Sequence, residues 1–215
     1  MPVRARKTLL LDLDGTLVDP APGILGSMRH ALARLGADAP EDADLSWMIG
    51  PPIRASVARL LGETVDPEEA VALYRERYAE WGLRQATPYP GMLQTLAARK
   101  ADGTRLILCT SKAAVFARQV VDHFGFAPLL SAVYGAELDG RRENKAELIA
   151  HILEAEGLDP AQACMVGDRE HDVIGAARHG IPTVGVLWGF GDRAELEAAG
   201  AAVVIARPEE LALPA

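Results

Sequence analysis

The sequence has few cysteines and no long apolar run, and each shortage excludes a class of protein. Only two of its 215 residues are cysteine, Cys109 and Cys164, and both lie inside apolar, strand-like stretches. We therefore expect reduced thiols in the core of a cytoplasmic protein, rather than disulfides or a redox pair. No stretch approaches the roughly 18 apolar residues that a membrane-spanning helix needs. The apolar run behind the first basic residues already ends at Asp12, which is too short for a signal peptide.

Positive charge is also scarce. The chain has 22 Lys and Arg residues against 30 Asp and Glu residues, a net charge of −8 at pH 7. This balance argues against a general electrostatic attraction to nucleic acid or to an anionic membrane surface. An anionic ligand would have to be held by local groups. The lysines are few enough for each to be informative: Lys7, Lys100, Lys112 and Lys145.

Six short apolar runs recur along the chain, and amphipathic, helix-like stretches separate most of them. The runs cover residues 8–14, 105–111, 131–138, 163–168, 182–188 and 201–206. They are continuous rather than alternating, which is typical of strands that are covered on both faces of a parallel sheet. Strands that alternate with helices predict an α/β fold with a Rossmann-like, doubly wound parallel sheet.

One long segment interrupts this alternation. Residues 17–86 contain helical patterns only, and they follow the first predicted strand directly. We interpret this segment as an α-helical cap inserted into the α/β fold. The predicted core then consists of residues 1–16 and 87–215, and the predicted cap of residues 17–86.

Acidic residues end two of the predicted strands. Asp12 and Asp14 end the first, and Asp168 ends the fourth, with Asp172 four residues further on. In open α/β sheets, ligands bind at the carboxyl ends of the strands. Asp-Gly after an apolar run is also an ordinary turn signal. Four buried acids at one edge would repel each other, however, and a hard divalent cation such as Mg²⁺ is the economical compensation.

Neutral and positive groups lie where a phosphate sharing that cation would need them. Thr110 and Ser111 end the second strand and would begin a helix, and Lys145 begins another helix after Asn144. Hydroxyls, backbone N–H groups and a lysine are the donors that bind phosphate. Alone, Thr110 and Ser111 favour a helix N-cap and Lys145 a solvated surface side chain. Their joint occurrence at successive strand ends favours a phosphate site.

These motifs resemble those of the haloacid dehalogenase superfamily of phosphotransferases. Its first motif, Asp-x-Asp-Gly-Thr, matches residues 12–16, and its second and third motifs match Thr110 and Lys145. Its fourth motif matches Gly167 and Asp168, followed by Asp172. Longer strings resemble the phosphoglycolate phosphatase and 5′-nucleotidase-like subgroup, in which proline often stands where this chain has Ala113.

The resemblance implies a role for each matching residue. Asp12 would attack phosphorus and form an aspartyl-phosphate, and Asp14 would act as general acid and then as general base. Mg²⁺ would be bound by Asp12, by the backbone carbonyl of Asp14, by Asp168, and by Asp172 directly or through water. The phosphoryl oxygens would be held by Thr110, the Ser111 amide and Lys145.

Among the chemistries of that superfamily, phosphomonoester hydrolysis fits best. Asp14 argues for attack on phosphorus rather than on carbon, and the lack of lysine between Lys7 and Lys100 excludes a Schiff base in the cap. A sugar-phosphate mutase resembling β-phosphoglucomutase stays open, as does a binding protein without turnover. We expect a small phosphate ester as substrate, such as phosphoglycolate or a nucleoside 5′-monophosphate, with Arg54 as the cap residue that contacts it. The sequence does not determine the oligomeric state.

Overall fold

The computed structural model describes residues 6–37, 45–62 and 66–211. Eight strands occur there: β1 (Thr8–Leu11), β2 (Val18–Asp19), β3 (Thr87–Pro88), β4 (Arg105–Ala113), β5 (Ala132–Ala136), β6 (Ala163–Gly167), β7 (Thr183–Val186) and β8 (Val203–Ile205). Six of them form one sheet in the order β5-β4-β1-β6-β7-β8. All neighbours in this sheet are parallel, and each of the six predicted runs overlaps one of its strands.

Helices connect the strands. Within the described residues they are α1 (Ala21–Arg34), α2 (Ile53–Leu61), α3 (Pro67–Glu80), α4 (Met92–Ala101), α5 (Ala114–His123), α6 (Lys145–Glu156), α7 (Glu170–Ala177) and α8 (Arg193–Ala199). Local signals set several ends. Asn144 caps α6 by accepting a hydrogen bond from the Ala146 N–H, and Gly157 ends that helix in the left-handed conformation. None of the described helices is both long and apolar enough to cross a bilayer.

The central strand is buried on both faces, which explains its continuous apolar sequence. Leu9 and Leu11 pack into one apolar cluster together with residues of α4 and α5, while Leu10 packs into a second cluster against α6. Helices therefore cover both faces of the parallel sheet. The predicted doubly wound α/β architecture is confirmed.

Helices α1, α2 and α3 form an insertion in the chain between β1 and β4, which are neighbours in the six-stranded sheet. The antiparallel pair β2 and β3 brings the two ends of this insertion together, with Val18 opposite Pro88. In the insertion α1 and α2 each pack against α3. The core and cap boundaries given above stay a prediction, and residues 1–5 and 212–215 of the predicted core lie outside the described residues.

Candidate active site

The turn after β1 carries the first two acids. Asp12 continues the pairing with β6 by donating its N–H to the Val166 carbonyl at 3.0 Å. Gly15 then adopts a φ of +80°, and a Cβ there would lie 2.1 Å from Oδ2 of Asp168. Glycine is therefore required both by the turn and by its close approach to another acid. The Asp-Gly sequence therefore forms a turn and, at the same position, part of the acidic site.

Three of the predicted acids meet in one buried cluster. Asp12, Asp168 and Asp172 each offer a carboxylate oxygen, and these oxygens lie within 4.8 Å of one another. The Phe190 N–H donates to Asp168 at 2.8 Å, and the Arg169 N–H donates to Asp172 at 3.2 Å. Burial raises the pKa of the Asp168 carboxyl well above its usual range, and the nearby charges of Asp172 and Asp12 raise it further. Burial also raises the pKa of Asp172, against the opposing effect of Lys145.

This cluster fits a hard divalent cation. Oδ1 of Asp12 and Oδ1 of Asp172 are buried, and both face the same cation, the Lys145 ammonium. Three carboxylates beside one ammonium leave uncompensated negative charge in a buried space. Carboxylate oxygens are hard donors of the kind that bind Mg²⁺.

Lys145 lies at the first position of α6 and reaches back to the acids. Its Nζ is 3.0 Å from Oδ1 of Asp12 and 2.8 Å from Oδ1 of Asp172, and it donates to the Cys109 carbonyl at 2.9 Å. Burial by itself would lower the pKa of this ammonium, but Asp12 and Asp172 reverse the effect and raise it above its usual range. Lys145 is therefore a buried, charged side chain and not a solvated one.

Thr110 and Ser111 lie beside the acids, but not at the start of a helix. They line a cavity together with Asp12 and Asp14. The expectation that they begin a helix is wrong, because β4 continues to Ala113 and α5 begins at the next residue. The reason is continued pairing with β5, which shifts register between Thr110 and Ala113.

Sequence reasoning missed Lys112, which contacts the other acid of the first motif. Its Nζ lies 2.7 Å from Oδ1 and 2.5 Å from Oδ2 of Asp14. Burial raises the pKa of Asp14, and Lys112 opposes that rise. The signal that could have found this residue is the scarcity of lysine in an arginine-rich chain.

The cavity lies between these groups and the helical insertion. Side chains of the insertion that line it are Ile24, Met48, Pro51, Ile53, Tyr74, Arg75 and Tyr78. Arg54 lies close by, but its guanidinium is held by Glu68 at 2.6 Å, by Glu143 at 2.5 Å and by the Leu138 carbonyl at 2.7 Å. Glu143 lines the cavity. The predicted contact between Arg54 and substrate therefore stays a prediction.

A second residue that the sequence reasoning missed is Arg169. It connects the loop after β6, which carries Asp168, to the helical insertion. Its Nη1 donates to the Ile49 carbonyl at 2.7 Å, and its Nε pairs with Glu195 at 2.8 Å. A Cβ on Gly50 would lie 2.8 Å from the Arg169 side chain. The glycine in the sequence Ile-Gly-Pro-Pro thus lets the insertion approach the loop that carries Asp168.

Comparison with known proteins shows the family to which the chain belongs. Residues 9–186 match the family described as haloacid dehalogenase-like hydrolase. The chain is 45% identical over 191 residues to a 5′-nucleotidase of Pseudomonas aeruginosa, covering 88% of this chain and 86% of that protein. It is 34% identical over 209 residues to a phosphoglycolate phosphatase of Caulobacter vibrioides, covering 92% and 86%.

A further relative and a solved structure are also similar to this chain. The chain is 40% identical over 190 residues to the tyrosine-protein kinase PtkA of Mycobacterium tuberculosis, covering 88% of this chain but 65% of that longer protein. The crystal structure of a predicted phosphatase from Clostridium acetobutylicum matches with a TM-score of 0.91 at 34% identity, covering 96% of each chain. The chain therefore belongs to the haloacid dehalogenase-like hydrolases, and it is an enzyme of the phosphatase type.

Proposed function

We propose that this enzyme is a magnesium-dependent phosphomonoesterase that works through an aspartyl-phosphate on Asp12. The observation that carries the proposal is the buried constellation around that residue. Its carboxylate belongs to the cluster with Asp168 and Asp172, and it faces the Lys145 ammonium at 3.0 Å. This arrangement supports a nucleophile, a cation and a positive charge for the phosphoryl oxygens at one edge of the sheet.

The residues that would hold Mg²⁺ are Asp12, Asp168, the backbone carbonyl of Asp14, and Asp172 directly or through water. When bound, the cation supplies positive charge that offsets the negative charge of the phosphoryl group and of the attacking carboxylate. Lys145, the Thr110 hydroxyl and the Ser111 amide would bind the remaining phosphoryl oxygens. These groups favour the transition state because their positions are set before the substrate arrives.

The reaction then has two steps. An oxygen of Asp12 forms a bond to phosphorus while the bond from phosphorus to the ester oxygen breaks, and the ester oxygen keeps the electron pair. Asp14 gives that oxygen a proton, and the alcohol leaves. Water next gives a proton to Asp14 and attacks the phosphorus of the aspartyl-phosphate, which releases inorganic phosphate and restores the Asp12 carboxylate.

The proposed substrates are small phosphate esters, with phosphoglycolate and nucleoside 5′-monophosphates as the first candidates. The relatives named 5′-nucleotidase and phosphoglycolate phosphatase support both. For Arg54 we propose an indirect role, because it holds Glu143 at the cavity wall. The free, buried thiols Cys109 and Cys164 support a reducing compartment such as the cytoplasm.

The test is phosphate release from p-nitrophenyl phosphate, 2-phosphoglycolate, nucleoside 5′-monophosphates and sugar phosphates, each with Mg²⁺ and with EDTA. Asp12→Asn should abolish turnover, because the amide is not a nucleophile. Asp122→Asn is the matched control, since this exposed aspartate lies on α5. Turnover by Asp12→Asn, or turnover that does not need Mg²⁺, would contradict the proposal. Turnover only with a bisphosphate primer would favour the mutase, and ligand binding without turnover would favour a binding protein.

A further inference from the structure

The two buried lysine side chains of the site, Lys112 and Lys145, contact different carboxylates. Lys145 contacts Asp12 and Asp172, whereas Lys112 contacts Asp14 alone. The Asp14 carboxylate is not part of the cluster that Asp12, Asp168 and Asp172 form. The Asp14 carboxyl, which we propose for proton transfer, is thus separate from the three carboxylates that we propose for binding the cation.

The contact between Lys112 and Asp14 differs from an ordinary surface ion pair. The Lys112 side chain is 6% exposed and the Asp14 side chain 10% exposed, and the ammonium lies within 2.7 Å of both carboxylate oxygens. Exposed ion pairs contribute little, since water competes for both partners. Here both side chains are almost fully buried, so less water competes, and the ammonium contacts both carboxylate oxygens in the orientation that the structure shows.

Three elements position Lys112, two through its backbone and one through its side chain. The extended end of β4 carries it, and the Thr110 hydroxyl accepts a hydrogen bond from the Lys112 N–H. A Cβ on Gly135 of β5 would lie 2.5 Å from the Lys112 carbonyl, so glycine permits this path of the backbone. From the helical insertion, the Tyr78 ring lies 4.8 Å from the ammonium. The position of Lys112 therefore depends on both the sheet and the insertion.

We propose that Lys112 is a positioning residue, whose ammonium fixes the Asp14 carboxyl at the cavity wall, facing the ester oxygen of the substrate and away from the acidic cluster. This inference rests on the proposed function, in which Asp14 gives its proton to that oxygen. Without the ammonium, the carboxyl would be free to turn toward the cluster of the other three acids, which would hold the cation. Tyr78 makes the positioning depend on α3, because its ring packs against the ammonium.

The test compares leaving groups. p-Nitrophenolate leaves without needing a proton, whereas an alkoxide needs one, so a misplaced acid slows alkyl phosphates selectively. We expect Lys112→Met to lower kcat for 2-phosphoglycolate or a nucleoside 5′-monophosphate, whichever the wild type hydrolyses faster, by on the order of 10²-fold. For p-nitrophenyl phosphate the loss should be less than about 10-fold, with KM changed little for either substrate. Lys112→Arg should recover part of the alkyl phosphate activity.

Lys100→Met is the matched control, because this exposed lysine donates only to the Pro128 carbonyl in the described structure. Thermal unfolding checks each variant, and Lys112→Gln replaces Lys112→Met if the methionine variant does not fold. Equal losses on both leaving groups with a raised KM would overturn positioning in favour of phosphate binding, and unchanged kinetics would overturn any role. Turnover by Asp12→Asn would instead contradict the proposed function. A selective loss in Lys112→Met with an inactive Asp12→Asn supports both.

Discussion

At the scale of single residues, glycines determine how closely the acids of the site approach one another. A Cβ on Gly167 would lie 2.2 Å from Oδ2 of Asp172, and a Cβ on Gly189 would lie 2.4 Å from Oδ2 of Asp168. No larger residue could occupy these positions without displacing a carboxylate. The glycines of Asp14-Gly15 and Gly167-Asp168 are therefore needed for close packing of the acids, in addition to the turn at Gly15.

Gly15→Ala tests this point, because the methyl group would collide with Asp168 in addition to straining the backbone. The left-handed conformation by itself costs roughly 1–2 kcal/mol for a residue with a side chain. We expect a larger loss of unfolding free energy than this, together with loss of turnover and of stabilisation by Mg²⁺, measured by chemical denaturation and by phosphate release. Gly180→Ala is the control, since Gly180 has a φ of +67° but nothing within 4 Å of the added Cβ. Equal effects of the two variants would contradict a steric role.

At the scale of elements, the central strands bring the site residues together and bury the two thiols. Cys109 lies on β4 and Cys164 on β6, the two strands that flank β1. Strand β4 also carries Thr110, Ser111 and Lys112 past the point where the apolar pattern ends. Its pairing with β5 keeps this stretch extended, and Lys112 therefore points to Asp14 instead of lying in the first turn of a helix.

Alkylation of the thiols should report on these central strands. Burial raises the pKa of Cys109 and of Cys164 to about 12, so very little reactive thiolate exists at pH 8 in the folded protein. We expect labelling by iodoacetamide, followed by mass spectrometry, to be slow and to occur at both cysteines together as the protein unfolds. Labelling in urea should be complete within minutes. Rapid labelling of one cysteine under native conditions would contradict this account of the sheet.

At the scale of the whole molecule, the sheet and the helical insertion meet at the acids. Apolar residues of both lie in one cluster, and polar contacts at the cavity connect them through Arg54, Lys112 and Arg169. The insertion therefore contacts the loop that carries Asp168, the Lys112 side chain that pairs with Asp14, and the loop before α6. The residues that line the cavity therefore contact the groups proposed for catalysis, an arrangement that favours exclusion of water from the proposed reaction.

The buried acids make stability depend on pH when no metal is bound. Burial raises the pKa of Asp168 and Asp172 above the ordinary value of 3.8, so the folded protein binds more protons than the unfolded chain as pH rises above that value. Their contribution to stability is therefore lost with rising pH. We expect Mg²⁺, which replaces those protons, to raise Tm more at pH 7 than at pH 5. Differential scanning fluorimetry with Mg²⁺ and with EDTA measures this, and Asp168→Asn should reduce the difference. A Tm shift by Mg²⁺ that shrinks as pH rises would contradict the assignment.

The sequence alone determined the parallel α/β fold and much of the acidic cluster. Apolar runs buried on both faces predict parallel strands, and the carboxyl ends of parallel strands lie at one edge of the sheet. Asp12, Asp168 and Asp172 follow such runs, so their proximity is a consequence of topology that needs no knowledge of side-chain orientation. The same reasoning brings Thr110 and Lys145 to that edge.

Only the tertiary structure decided which distant groups the charged side chains contact. Lys112 contacts Asp14 across 98 residues of chain, Arg54 contacts Glu143 across 89, and Arg169 contacts Ile49 across 120. Each contact depends on where an insertion packs or on where a strand ends, and no local pattern encodes either. The predicted start of α5 at Thr110 and Ser111 was wrong for the same reason, since pairing with β5 keeps the backbone extended to Ala113. Local composition specifies the elements, whereas long-range packing specifies the partners of their side chains.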